Sequence, residues 1–332
     1  MNLIACTPWG GIESRPVYLF RLTNSSGAFV ELTNFGAALV SAHVPDRYGR
    51  LGNVVLGYEN LQGYLTDPNY MGVTIGRFAN RIGCAAFELD GRRYLLEAND
   101  GANTNHGGPQ GFHRQVFNHE IGENYIAFHY TSPDGEGGFP GTLELRVRYE
   151  WTEDNALIIG YQATTDLPTI ANFTNHAYFN LSAEKSVIDG HKLQIFAQNI
   201  VEAGADHVPT GLIKPAGAFA FGGNDIGQKI RQENGKKTGI NICYILDKQA
   251  DNLSEACKLS DPKSGRSLIM RTTYPAIIAY TGEYIAGQIH QPFEGLCLEC
   301  QYFPDSPNHP VFPSATLRPG ELYDHLIELY FS

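Results

Sequence analysis

The chain has 332 residues, of which 42% are hydrophobic, and this is enough for a large folded core. Its net charge of −11 and its lack of any basic run argue against nucleic acids and anionic membranes as partners, because phosphate binding requires clustered Lys and Arg. Charged residues make up only 18%, whereas glycine (36 residues) and aromatic residues (11%) are plentiful. This combination favours many short strands joined by glycine turns.

The chain shows no sign of membrane insertion or of a disulfide framework. No apolar run approaches the roughly 20 residues of a transmembrane helix, and MNLIACTPWGG lacks the features of a signal peptide. We therefore expect a cytoplasmic protein. The six cysteines are scattered. Cys297 and Cys300 form a CxxC pair, but on a strand they would point to opposite faces, so we interpret them as two buried side chains.

The first half of the chain carries clear strand patterns. Phe87–Leu96 reads as a hairpin around its Asp-Gly dipeptide. Leu143–Trp151, LELRVRYEW, alternates apolar and charged residues, as a half-buried antiparallel strand should. Tyr125–Tyr130 and Ala156–Ala163 read as its neighbours.

The second half continues the pattern. Leu253–Thr273 reads as a hairpin that turns at DPKSG. No long segment has the period of a core-facing helix, and short helical turns are expected only near Asn60–Leu65 and Gly222–Gln232. We predict an all-β fold, a large antiparallel β-sandwich in a single domain over residues 1–332. A two-domain division is the alternative.

Four polar stretches interrupt the apolar strands. The first is GRFANRI, Gly76–Ile82, in which Arg77 and Arg81 flank an asparagine. It predicts either a surface hairpin with solvated arginines or an arginine that orients a polar ligand through forked hydrogen bonds.

The second stretch is Asn103–Phe117, NTNHGGPQGFHRQVF, in which His106 precedes two glycines. Paired glycines permit backbone angles and close approaches that other residues do not. His106 is then either a turn residue or a functional one. No metal-ligand spacing of histidines accompanies it, so we expect no metal.

The third stretch is Asn172–Leu181, NFTNHAYFNL, which we interpret as one strand. One face would be mostly apolar, and the other would carry His176 at the centre of a row of Asn, Thr and Tyr. A buried polar row needs partners, because each unpaired group costs about 1–3 kcal/mol. A sugar-sized, wet cleft would supply them.

The fourth stretch is Gly295–Ser314, where Glu299 is flanked by apolar residues of a predicted strand. Such a carboxylate either pairs with an arginine or serves as an acid or base. The chain has neither a G-x-S-x-G elbow nor a P-loop. This set of residues favours acid–base chemistry on a neutral polyol without a cofactor.

At these four stretches the sequence resembles the aldose 1-epimerases, or galactose mutarotases, with the motifs in the family's order. The resemblance runs from about Phe35 to the C-terminus, and further matches are VPTGLIKPAGAFAF, DPKSGRSL and YTG. It implies a large antiparallel β-sandwich and the interconversion of α and β anomers of a free monosaccharide, without a cofactor.

The resemblance also implies roles for individual residues. His176 matches the family's general acid and Glu299 its general base. The positions that match sugar-orienting residues are Asn80, Arg81 and His106, with Tyr178 in the same binding strand. Glu299 would take the proton of the anomeric hydroxyl while the His176 imidazolium protonates the ring oxygen. We therefore expect surroundings that favour the charged form of His176.

The match fails at two places. GINICYIL, Gly239–Leu246, has Asn241 where the family has a sugar-binding Asp, and Ile242 and Cys243 replace the following His and Asn. Ile278 stands where a glutamine is usual. Asn241 remains a candidate substrate-binding residue, but a neutral amide is a weaker acceptor than a carboxylate. We expect galactose or glucose to bind poorly, and the predicted substrate is a hexose or a less hydroxylated aldose, such as a deoxy sugar or a pentose.

The same residues are compatible with other functions. A catalytically silent sugar-binding protein on the same scaffold is the main alternative. A glycoside hydrolase or lyase usually needs a second acid, for which Asp305 is the nearest candidate. A phosphosugar epimerase lacks a basic cluster for its phosphate. We expect a monomer or homodimer.

Overall fold

The computed structural model describes residues 3–233, 236–248, 252–287 and 289–332. In these ranges it has thirty strands, one short α-helix and seven 3₁₀ turns. The strands of the first half are β1 Leu3–Ile12, β2 Arg15–Thr23, β3 Phe29–Thr33, β4 Ala38–Pro45, β5 Leu51–Asn53, β6 Thr74–Ile75, β7 Arg81–Ile82, β8 Ala86–Leu89, β9 Arg92–Leu95, β10 Thr104–Asn105, β11 Asn118–Ile121, β12 Tyr125–Ser132, β13 Leu143–Trp151, β14 Ala156–Thr165 and β15 Thr169–Ile170.

The remaining elements complete the chain. The strands of the second half are β16 Thr174–Asn175, β17 Tyr178–Phe179, β18 Lys192–Ile195, β19 Asn199–Ala203, β20 Pro209–Pro215, β21 Gly222–Asp225, β22 Arg231–Glu233, β23 Lys236–Thr238, β24 Asn241–Ile245, β25 Ser254–Ser260, β26 Ser267–Thr272, β27 Ala276–Tyr280, β28 Leu296–Gln301, β29 Thr316–Leu317 and β30 Tyr323–Phe331. The α-helix, α1, is Leu61–Leu65, and the 3₁₀ turns are Gly83–Ala85, Phe112–Arg114, Glu136–Gly138, Ile188–Gly190, Gly217–Phe219, Ile226–Gln228 and Ser306–Asn308.

The larger sheet has nine strands in the order β11-β12-β13-β14-β30-β26-β25-β18-β21. The alternation of β13 explains its place: every second side chain from Leu143 to Trp151 is buried. Strands β12 and β14 pair with it antiparallel along its whole length, as predicted. The two predicted hairpins are also confirmed, as β8–β9 and β25–β26.

A six-stranded antiparallel sheet, β17-β28-β27-β24-β19-β20, forms the second layer. Alternate residues of β28 leave it on opposite sides. Leu296, Leu298 and Cys300 join the main core, which also holds side chains of the nine-stranded sheet. Cys297 belongs to a separate cluster on the other face. The two cysteines of the CxxC pair are therefore buried on opposite faces, as predicted.

The all-β sandwich is confirmed by these layers, together with the meander β1–β5. α1 confirms the turn expected near Asn60–Leu65, and of the segment Gly222–Gln232 only Ile226–Gln228 is helical. No helix of the described ranges is long and apolar enough to cross a membrane.

The segment Asn172–Leu181 is not one strand, and this prediction was wrong. It contains β16, which pairs with β6, and β17, which pairs with β28, and His176 lies between them. The side chain of Asn175 accepts a hydrogen bond from the N–H of Ala177 (3.1 Å), which takes a backbone donor away from any strand ladder at the break. All ten residues are nevertheless buried, and the apolar ones enter the main core.

Candidate active site

The outer face of the six-stranded sheet forms the floor of a cavity of about 590 Å³. The loops around β7 and β10 and the segment 68–70 contribute its walls. All the residues predicted from the sequence for the site line this one cavity: Asn80, Arg81, His106, His176, Tyr178, Asn241 and Glu299. Residues far apart in the chain are thus brought together.

Strand register explains how the two central residues meet. Tyr178 of β17 is paired with Cys297 of β28. In an antiparallel pair, the same register places His176 opposite Glu299. The Nε2 atom of His176 lies 3.7 Å from Oε1 of Glu299, and both side chains are almost fully buried.

Burial controls the charge of this pair. It lowers the pKa of His176 to about 4. Burial likewise raises the pKa of Glu299 to about 8, although the Cys297 thiol and the charge of Arg81 oppose the rise. The expectation that the free protein favours protonated His176 was therefore wrong, because the carboxyl beside it retains its own proton near neutral pH.

The other carboxyl oxygen of Glu299, Oε2, is buried and makes no hydrogen bond within the described part of the chain. Cys297 holds the far side of the histidine ring, since its Sγ lies 3.4 Å from Nδ1 of His176. The ring is thereby fixed with Nε2 towards Glu299. The pair can exchange protons with a ligand that lies between its two members.

Asn80 and His106 lock one another in place on the cavity wall. The N–H of Asn80 donates to Nδ1 of His106 (3.2 Å), and the N–H of His106 donates to the carbonyl of Asn80 (3.1 Å). Because Nδ1 accepts a hydrogen bond, the proton of the neutral ring is on Nε2. Burial, with the charge of Arg81 nearby, holds the pKa of His106 well below its usual value, so this ring is a neutral donor.

The glycine that follows His106 is required by its surroundings. Gly107 has φ +80°, and a Cβ there would lie 2.0 Å from the carbonyl oxygen of Gly76. This close approach joins the loop of His106 to the GRFANRI segment. It is the physical reason for the first glycine of the pair, whereas the second, Gly108, is required by its φ of +88°.

The two arginines of GRFANRI have different roles. Arg81 forms an ion pair through Nε with Asp100 (2.7 Å) and lines the cavity. Arg77 is 1% exposed, and its guanidinium donates to carbonyls that include those of Ser132 and Pro140. Arg77 is therefore structural, and the reading of both arginines as solvated surface residues was wrong.

Aromatic rings complete the walls. The hydroxyl of Tyr178 donates to the carbonyl of Asn69 (3.0 Å), so Tyr178 presents its ring, 5.2 Å from that of His176. Tyr70 packs against the rings of His106 (4.8 Å) and His176 (5.7 Å). The site is a polar cavity with rigid aromatic sides.

His106, His176 and Glu299 also form a set whose ligand atoms lie within 4.8 Å of one another, as a metal site requires. However, metal binding through Nε2 of His106 would need the proton to be on Nδ1. That would leave the N–H of Asn80 facing another donor. The tautomer fits a hydrogen-bond donor to a ligand better than a metal ligand.

With this geometry established, comparison with known proteins identifies the family. The aldose 1-epimerase family model matches residues 18–330. The aldose 1-epimerase of Escherichia coli (strain K12) is 35% identical, with 98% of each chain covered. The galactose mutarotase of Homo sapiens is 35% identical, with 91% of each chain covered. The chain belongs to the aldose 1-epimerase family.

Solved structures of family members agree with the fold. A GalM/aldose epimerase homologue from C. elegans superposes with a TM-score of 0.88 at 29% identity, covering 95% of this chain and 98% of the other. The galactose 1-epimerase from Lactobacillus acidophilus NCFM has a TM-score of 0.86 at 25% identity, covering 100% and 99%. The predicted family, the β-sandwich fold and the predicted enzyme class, an aldose 1-epimerase, are confirmed.

The structure of this aldose 1-epimerase family member separates Asp305 from the site. Its carboxylate accepts hydrogen bonds from the N–H of Gly83 (3.0 Å) and the side chain of Asn308 (2.6 Å), and it lines a different cavity. Asp305 therefore holds the turn after β28. This removes the second acid that a glycosidase would use.

Several residues in or next to the cavity were not predicted. Asn69 and Tyr70 belong to none of the four polar stretches, and no local pattern in the sequence indicates a role for them. Tyr280 lies in the YTG motif, and Cys297 lies two residues from Glu299 on the same strand face. For these last two, strand alternation was a usable signal.

Proposed function

We propose that this family member interconverts the anomers of a free aldose, with Glu299 as the base at O1 and His176 as the acid at O5. The observation that carries the proposal is the buried contact of 3.7 Å between the His176 ring and the Glu299 carboxyl on the cavity floor. Glu299 is fixed by β28, and His176 is fixed by backbone hydrogen bonds with Gly72 and Val73, as acid–base catalysis requires.

The proposed reaction opens and closes the sugar ring. Glu299 takes the O1 proton, and His176 gives a proton to O5 while the C1–O5 bond breaks. Rotation about C1–C2 turns the other face of the aldehyde towards the ring hydroxyl. Reclosure returns both protons and inverts the anomer. Each well-placed acid or base contributes roughly 10²–10⁴-fold to the rate.

The proton balance fits the surroundings of the pair. Between the lowered pKa of His176, about 4, and the raised pKa of Glu299, about 8, the two residues hold one proton in total. In the free protein burial keeps that proton on Glu299. The reaction requires it on His176, so we infer that hydrogen bonds from the bound sugar stabilise the ion pair.

Other side chains would orient the sugar. The Nε2–H of His106, the side chain of Asn80 and the guanidinium of Arg81 are donors on one wall. Asn241 can offer one amide at the position of the family's aspartate. With Ile278 beside Glu299 in register, we propose a substrate less hydroxylated than galactose, such as a deoxy sugar or a pentose.

Organisation and location stay predictions. The main core draws on residues from Phe20 to Phe331, which supports one domain. All six cysteines are free, as in most proteins of reducing compartments, and this supports a cytoplasmic location. The predicted oligomeric state, a monomer or a homodimer, can be measured by analytical ultracentrifugation.

The test is polarimetric mutarotation of freshly dissolved aldoses, with Glu299→Gln and His176→Asn compared with the parent. We expect each variant to lose at least about 100-fold in rate. Glu88→Gln and His129→Asn, at solvent-accessible positions away from the cavity, are the matched controls. Variants that keep the parent rate would contradict the assigned roles. A parent protein that binds sugars without accelerating their mutarotation would instead be a catalytically silent sugar-binding protein.

A further inference from the structure

A second chamber of about 690 Å³ adjoins the cavity of the catalytic pair. Asn80, Arg81 and Asn241 line both, so the two spaces share one wall. Ile278 and Cys243, which depart from the family pattern, line the second chamber. The altered positions therefore cluster on one side of Glu299.

Register places these residues in one row across the six-stranded sheet. Glu299 is paired with Ile278, and Ile278 with Cys243. Paired residues on neighbouring strands lie about 4.8 Å apart and leave the sheet on the same face. The row therefore runs from His176 through Glu299 to Ile278 and Cys243, and it is apolar beyond Glu299.

In the proposed binding mode, the O5, C1 and C2 atoms of the sugar ring lie along this row. The ring oxygen O5 and the carbon C2 are the two ring neighbours of C1, so they lie on opposite sides of an equatorial O1. If O5 faces His176 and O1 faces Glu299, the group on C2 lies on the far side of Glu299. It then lies over Ile278. This step rests on the function proposed above.

Asn241, the other altered position, lies outside this row. It lies two residues from Cys243 along β24 and is paired with Tyr280, in a parallel row. Two residues along a strand correspond to about 7 Å. The backbone of Asn241 therefore lies outside the row of Glu299, Ile278 and Cys243.

We propose that the preferred substrate is a 2-deoxy aldose, whose C2 methylene packs on Ile278 and Cys243. Ile278 is 2% exposed and Cys243 6% exposed. A C2 hydroxyl placed against them loses hydrogen bonds to water and gains none from the isoleucine. A methylene there instead gains by leaving water.

The test compares matched sugars by kcat/KM for mutarotation, after subtraction of the spontaneous rate of each sugar. The pairs are 2-deoxygalactose with galactose and 2-deoxyglucose with glucose, and 6-deoxygalactose with galactose is the comparison at a different carbon. We expect the 2-deoxy sugar to be preferred about 10-fold or more, with a smaller effect at C6.

Ile278→Gln restores a hydrogen-bonding group in the row and is expected to lower the 2-deoxy preference about 10-fold. If Ile278→Gln does not fold, Ile278→Thr is a smaller change that also introduces a hydrogen-bonding group and can be tested in its place. Ile121→Gln, on the exposed edge strand β11, is the matched control and should leave the ratio unchanged.

Three results would overturn the inference while the proposed function stands. The first is equal kcat/KM for the two members of each 2-deoxy pair. The second is a preference for 6-deoxygalactose over galactose as large as the 2-deoxy preference. The third is that the Ile278 variants lower kcat/KM equally for both members of a pair. Faster turnover of 2-acetamido-2-deoxyglucose than of 2-deoxyglucose would also overturn it, because a bulky C2 group would then fill the chamber. A protein that accelerates no sugar contradicts the proposed function itself.

Discussion

At the level of single residues, the proton shared by His176 and Glu299 is the property with the widest consequences. Neither group has an ionised neighbour that pairs fully with it, and both are buried. Burial disfavours the charged form of each, which moves the two pKa values in opposite directions. The acid–base pair is therefore kept neutral until a ligand arrives.

This predicts the pH dependence of kcat/KM. Below pH about 4 His176 is protonated as well as Glu299, so the pair holds two protons and neither residue can act as a base. Above pH about 8 Glu299 loses the single proton, and no acid remains. We expect a plateau between these limits, measured by polarimetry with the buffer-catalysed rate subtracted. A basic limb near 6.5, the ordinary pKa of histidine, would contradict the prediction.

The raised pKa of Glu299 also predicts a change in stability. Above about pH 4.5 the unfolded chain ionises this carboxyl, whereas the folded chain keeps it protonated up to about pH 8. Folding therefore loses stability as pH rises through that window. Glu299→Gln has no carboxyl to titrate and so does not lose this stability. The difference in free energy of unfolding, variant minus parent, should therefore rise by roughly 1.4 kcal/mol for each unit of increasing pH in the window.

Urea unfolding at pH 5, 6, 7 and 8 measures this difference. Glu88→Gln, at a solvent-exposed position of β8, is the control and should give a flat difference. A difference for Glu299→Gln that does not change with pH would mean that the carboxyl titrates normally in the folded protein.

At the level of elements, the loop of His106 depends on its contact with the GRFANRI segment. Gly107→Ala adds a methyl group 2.0 Å from the Gly76 oxygen, at φ +80°. The loop must move, and displacement of an orienting residue by about 1 Å can lower the rate about 100-fold. We expect kcat/KM to fall by about 10- to 100-fold.

Gly91→Ala is the matched control for this experiment. Gly91 has φ +75° in the β8–β9 hairpin, with nothing within 4 Å of the added methyl group. It carries the same backbone strain, of about 1–3 kcal/mol, without touching the site. Equal loss of kcat/KM in both variants would show that strain, and not displacement of His106, is responsible.

Strand alternation predicted much of the fold from local sequence. The pattern of Leu143–Trp151 depends on one buried and one solvated face, so it is visible without knowledge of partners. The opposite faces of Cys297 and Cys300 followed in the same way. For the site, motif resemblance supplied the residues that line the cavity.

Other features depend on distant contacts and could not be predicted locally. The break at His176 arises because β16 and β17 pair with different strands. The burial of Arg77 depends on carbonyls more than fifty residues away. The pKa values of the central pair depend on how much water the complete fold excludes. None of these has a signal in the neighbouring sequence.

At the level of the whole molecule, each face of the six-stranded sheet has a separate role. One face of β28 helps to build the main core, and the other carries Glu299 to the cavity. A shift of one residue in its register would exchange Glu299 with an apolar neighbour and disrupt both faces together. Stability and catalysis therefore constrain the same strand.

Strand β30 lies between β14 and β26 in the middle of the nine-stranded sheet. The strands on its two sides are joined in that sheet only through it. While a chain is being synthesised, β14 and β26 are complete before β30, and each has an open edge that can pair with another molecule. The incomplete sheet is therefore most prone to aggregation before β30 is synthesised. Pairing of β30 with β14 and β26 then covers both open edges.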